Sequence, residues 1–396
     1  MKILMCHNYY QSGSPSGEDV VFRNEVALLR SKGVPVITYE RHNDGIKSLL
    51  DKMNVAVKLP WQMKTYKEVR ALIKKERPDL AHFHNIWYLI SPSAYYACKD
   101  EGIPVVQTFH NYRFFCLNGM FMNKRRTCAY CKNRLPWMGL LDRCYRNSVL
   151  HSLPISLADG MHRVIGTFKN KIDAYIALTS TARRILVECG MDQDKIFLKP
   201  NFVMNPPEPN YNSKNYIVFL GRLSEEKGPE ILIDAYKVFR EITNSNISLK
   251  IIGDGPLRRK LEEKVENNNL LDVEFMGRRT FPESMKILKG AMFLALPSQW
   301  IEMFPMTCLE AFACGKAVVA STVSNLLEII TDGETGIFFE KDDFEDLAIK
   351  MKYLVENEDL NLSMGKRARV DFEAKYTAEK NFGILMNIYQ KVLSNN

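Results

Sequence analysis

Two glutamates, Glu302 and Glu310, stand with seven residues between them in one apolar stretch. A strand-like run ends at Pro297, and the pattern predicts a helix that begins near Pro305 and stops at Gly315. Glu310 falls among Leu309, Ala311, Phe312 and Ala313, where a carboxylate is costly unless it is paired or hydrogen-bonded. Carboxylates accept paired hydrogen bonds from vicinal hydroxyls, on a ribose or a hexose. The helix start offers the backbone amides of Met306 and Thr307 to a phosphate. The plainer reading is a glutamate that caps its own helix.

A second candidate lies upstream. The run from Phe219 to Gly228 leaves a strand, turns through Gly221 and enters a helix at Pro229, a favoured first helical residue. Such a turn exposes amides at a helix N-terminus, and Arg222 and Lys227 add two cations suited to phosphate. The glycine spacing is not that of a Walker loop. Gly253 to Pro256 forms a similar turn, which reads as structural. In the first half, Val105–His110 is a strand ending in histidine. Leu80–His84 is another, with His82 and His84 on one face and Asn85 pointing elsewhere. A lone histidine is more often a satisfied structural residue.

Four of the nine cysteines cluster between His110 and His151, namely Cys116, Cys128, Cys131 and Cys144. The Cys128–Cys131 pair has the spacing of a zinc knuckle, and the flanking two complete a set of four. A structural Zn²⁺ is the expectation for this loop, since it has few apolar residues with which to fold. Redox pairing, unliganded thiols and an iron–sulfur cluster are the alternatives. No catalytic metal is expected, because four thiolates leave no open coordination position. The same loop interleaves Arg113, Lys124, Arg125, Arg126, Lys132, Arg134, Arg143 and Arg146 with Phe114, Phe115, Phe121, Tyr130 and Trp137. That mixture suits the edge of a membrane or nucleic acid. Cys6, Cys98, Cys189, Cys308 and Cys314 sit in apolar runs and are expected in the core.

The elements that must position these residues follow from periodicity. Short β-like runs alternate with amphipathic helices along the whole chain, which argues for parallel sheets flanked by helices. At 396 residues the chain is too long for one ordinary core and suits two domains. The Pro-rich, polar run Asn205–Lys214 has linker composition, and the strand–helix alternation restarts after it. Two doubly wound domains so joined place a cleft at the carboxyl ends of both sheets, where ligands bind. The opening segment reads as a buried first strand rather than a signal peptide, and the cytosol is the expected compartment. Residues 1–200 carry 30 Lys and Arg against 17 Asp and Glu, while the remainder is net acidic. That asymmetry gives the first half an anionic partner or merely a solvated surface.

The stretch around Glu302 and Glu310 resembles the E-x7-E signature of the family 4 retaining glycosyltransferases. Gly221-Arg222 through Lys227-Gly228 is similar to that family's phosphate-binding turn. Leu198–Asn201, Glu328 and the run Asp332 to Gly336 follow the same pattern. Ser16-Gly17-Glu18 stands at the family's Gly-Gly-Glu-like loop, with Ser16 replacing its first glycine. The resemblance implies an α/β chain of GT-B fold, two Rossmann-like doubly wound domains facing each other across a cleft. It divides the chain into an acceptor-side domain at 1–204 carrying the loop 111–150, a linker at 205–214 and a donor-binding domain at 215–375. The C-terminal helix at 376–396 would cross back onto the first domain.

The resemblance also implies roles. Arg222 and Lys227 would bind the donor pyrophosphate, Glu310 the ribose and Glu302 a hydroxyl of the transferred sugar. Backbone near Arg278 would meet the base. Gly17, Gly221, Phe304, Met306 and Thr307 complete the donor set, His110 would act near the reacting centre, and His84, Asn85 and Asn111 would lie on the acceptor side. The expected donor is a UDP, GDP or ADP sugar. The expected acceptor is a saccharide or lipid-linked molecule, at the inner face of an anionic membrane and without nucleic acid. Retention of configuration and metal-independent catalysis are implied. A nucleotide-sugar epimerase of the same fold and a nucleic-acid-binding protein built on the cysteine loop are the rival readings.

Overall fold

The computed structural model describes residues 1–10, 16–123, 126–243 and 245–395. Lys124 and Arg125 of the basic loop lie outside them. The chain forms two compact units, Met1–Asn201 with Asn381–Asn396, and Phe202–Lys380.

In the first unit the strands are β1 (Ile3–Tyr9), β2 (Val36–His42), β3 (Leu80–Phe83) and β4 (Val105–Thr108). The short antiparallel hairpin β5 (Met122–Asn123) and β6 (Arg126–Thr127) follows, then β7 (Ala174–Ala177) and β8 (Ile196–Leu198). Six of these make one sheet in the order β2-β1-β3-β4-β7-β8, with every pairing parallel. Helices cover it, so β1, β3, β4 and β7 are buried along their whole length. That is why they read as continuous apolar runs rather than alternating ones. Cys6, Cys98 and Cys189 are buried in this core.

The second unit holds β9 (Tyr216–Leu220), β10 (Ser248–Ile252), β11 (Val273–Gly277), β12 (Phe293–Leu296), β13 (Ala317–Ser321) and β14 (Gly336–Phe339). Their order is β11-β10-β9-β12-β13-β14, again all parallel. The chain winds outward from β9 in one direction and returns to β12 on its other side. The switch point therefore lies between the carboxyl ends of β9 and β12, where such sheets bind ligands. The corresponding point of the first sheet lies between β1 and β3. The Pro-rich run Asn205–Lys214 lies along this second unit, where Asn210 N bonds Cys314 O and Lys214 N bonds Gly290 O.

The last helix, Ala378–Ser394, groups from Asn381 onward with the first unit. Its Tyr389 hydroxyl lies 2.7 Å from His82 Nδ1, and Asn381 Nδ2 donates to Pro200 O at 2.6 Å. The sequence places a helix near His151, and the structure has it as Val149–Val164; the helix Leu49–Lys58 is one that periodicity does not announce. Leu49–Lys58 starts on a Ser48–Asp51 capping box, and Val149–Val164 runs through Pro154. Among the described residues no helix is long and apolar enough to cross a membrane.

Candidate active site

The switch point of the second unit collects the donor-side residues. β9 ends at Leu220, and the turn that follows carries Gly221, Arg222 and Lys227. Gly228 then caps the helix Pro229–Ile242 in a left-handed conformation, with φ +66°. A Cβ at Gly228 would stand 2.0 Å from Pro297 O, so only glycine lets this turn lie against the end of β12. Gly253 is confined in the same way, its absent Cβ 1.8 Å from Gly221 O. Three neighbouring turns are thereby packed backbone to backbone, and Gly253 to Pro256 serves as their buttress.

Glu302 sits in the loop after β12 and is almost wholly buried. Its Oε1 lies 2.7 Å from Lys227 Nζ and accepts from Ser298 Oγ. Asn325 Nδ2 donates to its backbone carbonyl. Lys227 also lies 5.7 Å from the centroid of the Trp300 ring, and Arg222 is exposed one turn away. Among the described residues Trp300 Nε1 and Gln299 Oε1 are buried without a hydrogen-bond partner. A ligand with hydroxyl and phosphate groups would satisfy such atoms.

The helix Met306–Ala313 follows at once, its first-turn amides at Met306 and Thr307. Glu310 lies on this helix, half-buried. Among the described residues its carboxylate makes no hydrogen bond or ion pair, and burial pushes it up to about 7. Phe304 is buried against Tyr376 instead, ring centroids 5.9 Å apart. Arg278 is exposed beyond β11. The structure thus brings Gly221, Lys227 and Glu302 together at one switch point, with Glu310 on the helix that leaves it.

The first unit has its own constellation. Ser16 caps the helix Gly17–Ser31 through a capping box with Asp19. Gly17 is its first residue and leaves open space where a Cβ would stand. Two residues past β4, His110 stacks on His84, and His110 Nε2 lies 2.8 Å from His84 Nδ1. His84 Nε2 lies 3.2 Å from Glu25 Oε1, and Lys199 Nζ donates to Glu25 Oε2 at 2.6 Å.

An ionised carboxylate only accepts, so His84 Nε2 carries its proton and His110 Nε2–H donates to His84 Nδ1. This assignment rests on the network, and it leaves His110 Nδ1 as an acceptor. Burial holds the His110 and His84 imidazoles below the ordinary range, so both are neutral. Burial alone would raise Glu25, but Lys199 and then His84 hold its carboxyl well below the usual range.

Asn85 is spent on the backbone: its Nδ2 donates to Asn8 O, its Oδ1 accepts from Trp87 N, and its own N–H donates to His7 Nδ1. Asn111 Nδ2 donates to Glu18 Oε2 at 3.1 Å. The other oxygen of Glu18 is buried without a hydrogen-bond partner among the described residues, and burial raises this carboxyl. The sequence assigns no role to Glu18, Glu25 or Lys199. Glu18 carried a signal, because it directly follows Gly17. Lys199 falls within Leu198–Asn201, which follows the family pattern, but Glu25 carried no signal and its pairing with Lys199 spans 174 positions.

Glu25, His82 and His84 bring ligand atoms within 4.8 Å of one another. The Lys199 ammonium already supplies the positive charge there. Cys116, Cys128, Cys131 and Cys144 line a separate cavity in this unit. Burial raises the thiols of Cys116 and Cys131 and takes Cys144 up to about 12.

Residues 204–371 match the family described as glycosyl transferases group 1, and residues 23–204 match Glycosyltransferase Family 4. An uncharacterized glycosyltransferase of Methanocaldococcus jannaschii is 28% identical over 99% of both chains. A D-inositol 3-phosphate glycosyltransferase of Pseudarthrobacter chlorophenolicus is 24% identical over 91% of this chain and 86% of its own. Among solved structures, Anabaena HepE in complex with UDP superposes over 100% of both chains, with a TM-score of 0.66 and 16% identity. That likeness establishes the fold as GT-B.

Proposed function

The chain belongs to the family 4 glycosyltransferases of GT-B fold, and from that premise we propose a retaining enzyme that draws its sugar from a nucleoside diphosphate donor held by the second unit. One observation carries this reading: Lys227, Glu302 and the start of the helix Met306–Ala313 converge at the β9/β12 switch point. Arg222 and Lys227 neutralise the diphosphate, and their charge counts most as the leaving group departs. Glu310 accepts from the ribose and Glu302 from the transferred sugar, while Gly221, Phe304, Met306 and Thr307 shape the pocket. Backbone at Arg278 faces the base. UDP is the favoured nucleotide, by analogy with the Anabaena neighbour.

Catalysis needs no divalent ion in this scheme. Gly17 admits the donor phosphate, and neutral His110 stands at the reacting centre as a hydrogen-bonding group. Glu18 and Asn111 orient the acceptor, with His84 behind His110. Asn85 serves to fix the backbone that carries them.

The setting is the cytoplasmic face of an anionic membrane, where a saccharide or lipid-linked acceptor is met. The adjoining helices Leu49–Lys58 and Val149–Val164 support it by leaving Leu49, Leu50, Val57, Leu150 and Val164 exposed. Lys52, Lys58, Arg143 and Arg146 are exposed with them. Apolar side chains with basic neighbours suit a bilayer interface. The transfer itself is tested by supplying a UDP sugar of known anomeric form with saccharide acceptors and reading the product by NMR. A product of the same anomeric configuration is expected; an inverted product overturns the retaining assignment.

A further inference from the structure

The cavity lined by Cys116, Cys128, Cys131 and Cys144 has a volume of about 10 Å³, room for one small ion or one water. A buried water needs two to four good polar partners, and thiols are weak donors and weak acceptors. Leu117, Phe121, Met122 and Met138 make much of the remaining wall, with Tyr130 and Asp142 the other polar side chains there, so water is a poor occupant. All four cysteines are free.

They arrive from separate turns. Cys116 ends the turn after β4, its amide bonded to Tyr112 O. Cys128 follows β6 and donates its amide to Phe121 O at 2.7 Å. Cys144 follows the short helix Trp137–Leu141, its amide bonded to Gly139 O. Around them the only regular structure among the described residues from Asn111 to Ser148 is one two-residue hairpin and that five-residue helix. The first part of this segment is anchored by the buried Tyr112, Phe114, Phe115, Leu117 and Phe121. Tyr130, Leu135, Trp137, Met138 and Leu141 are exposed, so the part from Cys128 onward has little of its own to hold it together.

We propose that this cavity is a structural zinc site with a closed four-cysteine ligand set, one Zn²⁺ drawing the four sulfurs inward to about 2.3 Å. Four thiolates fill a tetrahedral shell, so the ion takes no substrate and does no chemistry. Binding displaces the thiol protons, and its free energy stabilises the segment.

The site also reaches the acceptor side, a consequence that rests on the roles proposed above for Glu18 and Asn111. Arg113 lies over the rings of Tyr10, Tyr88 and Tyr145, at 5.9, 5.8 and 5.6 Å. Tyr145 directly follows Cys144, and Arg113 follows Asn111 by two residues and precedes Cys116 by three. A metal that ties Cys116 to Cys144 therefore fixes both ends of this clamp. The four cysteines act as positioning residues for Asn111 and its partner Glu18.

The test begins with elemental analysis of the full chain after exhaustive dialysis. One zinc per chain is expected, released when a mercurial blocks the thiols. Replacement by Co²⁺ should give a thiolate-to-cobalt charge-transfer band. Protein that holds no metal while all four thiols react freely overturns the proposal, and so does iron with acid-labile sulfide. Cys128→Ser should lose the metal and raise KM for the acceptor several-fold, with nucleotide binding unchanged. Because that variant can unfold the segment, the wild-type metal content and cobalt spectrum decide independently. Metal content and the cobalt spectrum are read without any nucleotide, so failure of the donor reading and failure of the zinc reading are told apart.

Discussion

Glu310 is half-buried on an apolar helix, with its carboxyl near 7 and no charged partner among the described residues. A ribose diol donates to the ionised form, so nucleotide affinity should rise as pH climbs through about 7 and then level off. Glu310→Gln should flatten that profile, as titration calorimetry across pH will show. The same shift has the opposite sign for stability. A carboxyl raised in the folded state loses stability as pH rises from its unfolded value toward about 7.

Glu25 runs the other way. Its folded value is depressed by Lys199 and His84, so its contribution is present above the ordinary carboxylate range and is lost as acid protonates it. Removing it leaves Lys199 buried and unpaired, a loss of about 3–5 kcal/mol. Urea denaturation of Glu25→Gln at neutral pH should show that drop, with a shallower fall on acidification than wild type. Lys227→Ala leaves Glu302 without its cation and the diphosphate without one of its two. Transfer should fall about a hundredfold under saturating acceptor while the fold is retained, as circular dichroism will report.

The elements were largely legible because parallel strands buried on both faces are short apolar runs. The runs read as strands at Leu80–His84 and Val105–His110 appear as Leu80–Phe83 and Val105–Thr108, so the histidines stand just past the strand ends. What stayed hidden has a physical cause in each case. The helix near His151 is legible despite Pro154, with Val149–Val164 as its bounds, but the exposed apolar face of Leu49–Lys58 reads as neither core nor surface. The E-x7-E spacing announced the donor side, yet the Lys227–Glu302 pair depends on how the β9 and β12 turns meet. That meeting depends on glycine. Gly228→Ala would place a Cβ against Pro297 O in a left-handed conformation, costing at least about 1–3 kcal/mol in strain. Thermal melting should shift down, and nucleotide affinity should fall with it.

At the scale of the whole molecule, net positive charge and exposed apolar side chains are both concentrated in the first unit, and most of the proposed donor residues in the second. The proposed division of labour gives the first unit the membrane and the acceptor. Full-length protein should therefore float with liposomes containing anionic lipid at low salt and be released as salt screens the contact. Charge reversal at Lys52 and Lys58, exposed on the helix Leu49–Lys58, should weaken flotation without changing nucleotide binding. No flotation on any anionic vesicle would remove the membrane from the account.

The most direct test of the central claim is calorimetric titration of UDP, GDP and ADP into the wild-type chain and into Glu310→Ala. One nucleotide, UDP first, should bind the wild type selectively, and the substitution should abolish its binding. Folded wild-type protein that binds none of the three, or a Glu310→Ala variant that binds as well as wild type, would contradict the donor site described at the β9/β12 switch point.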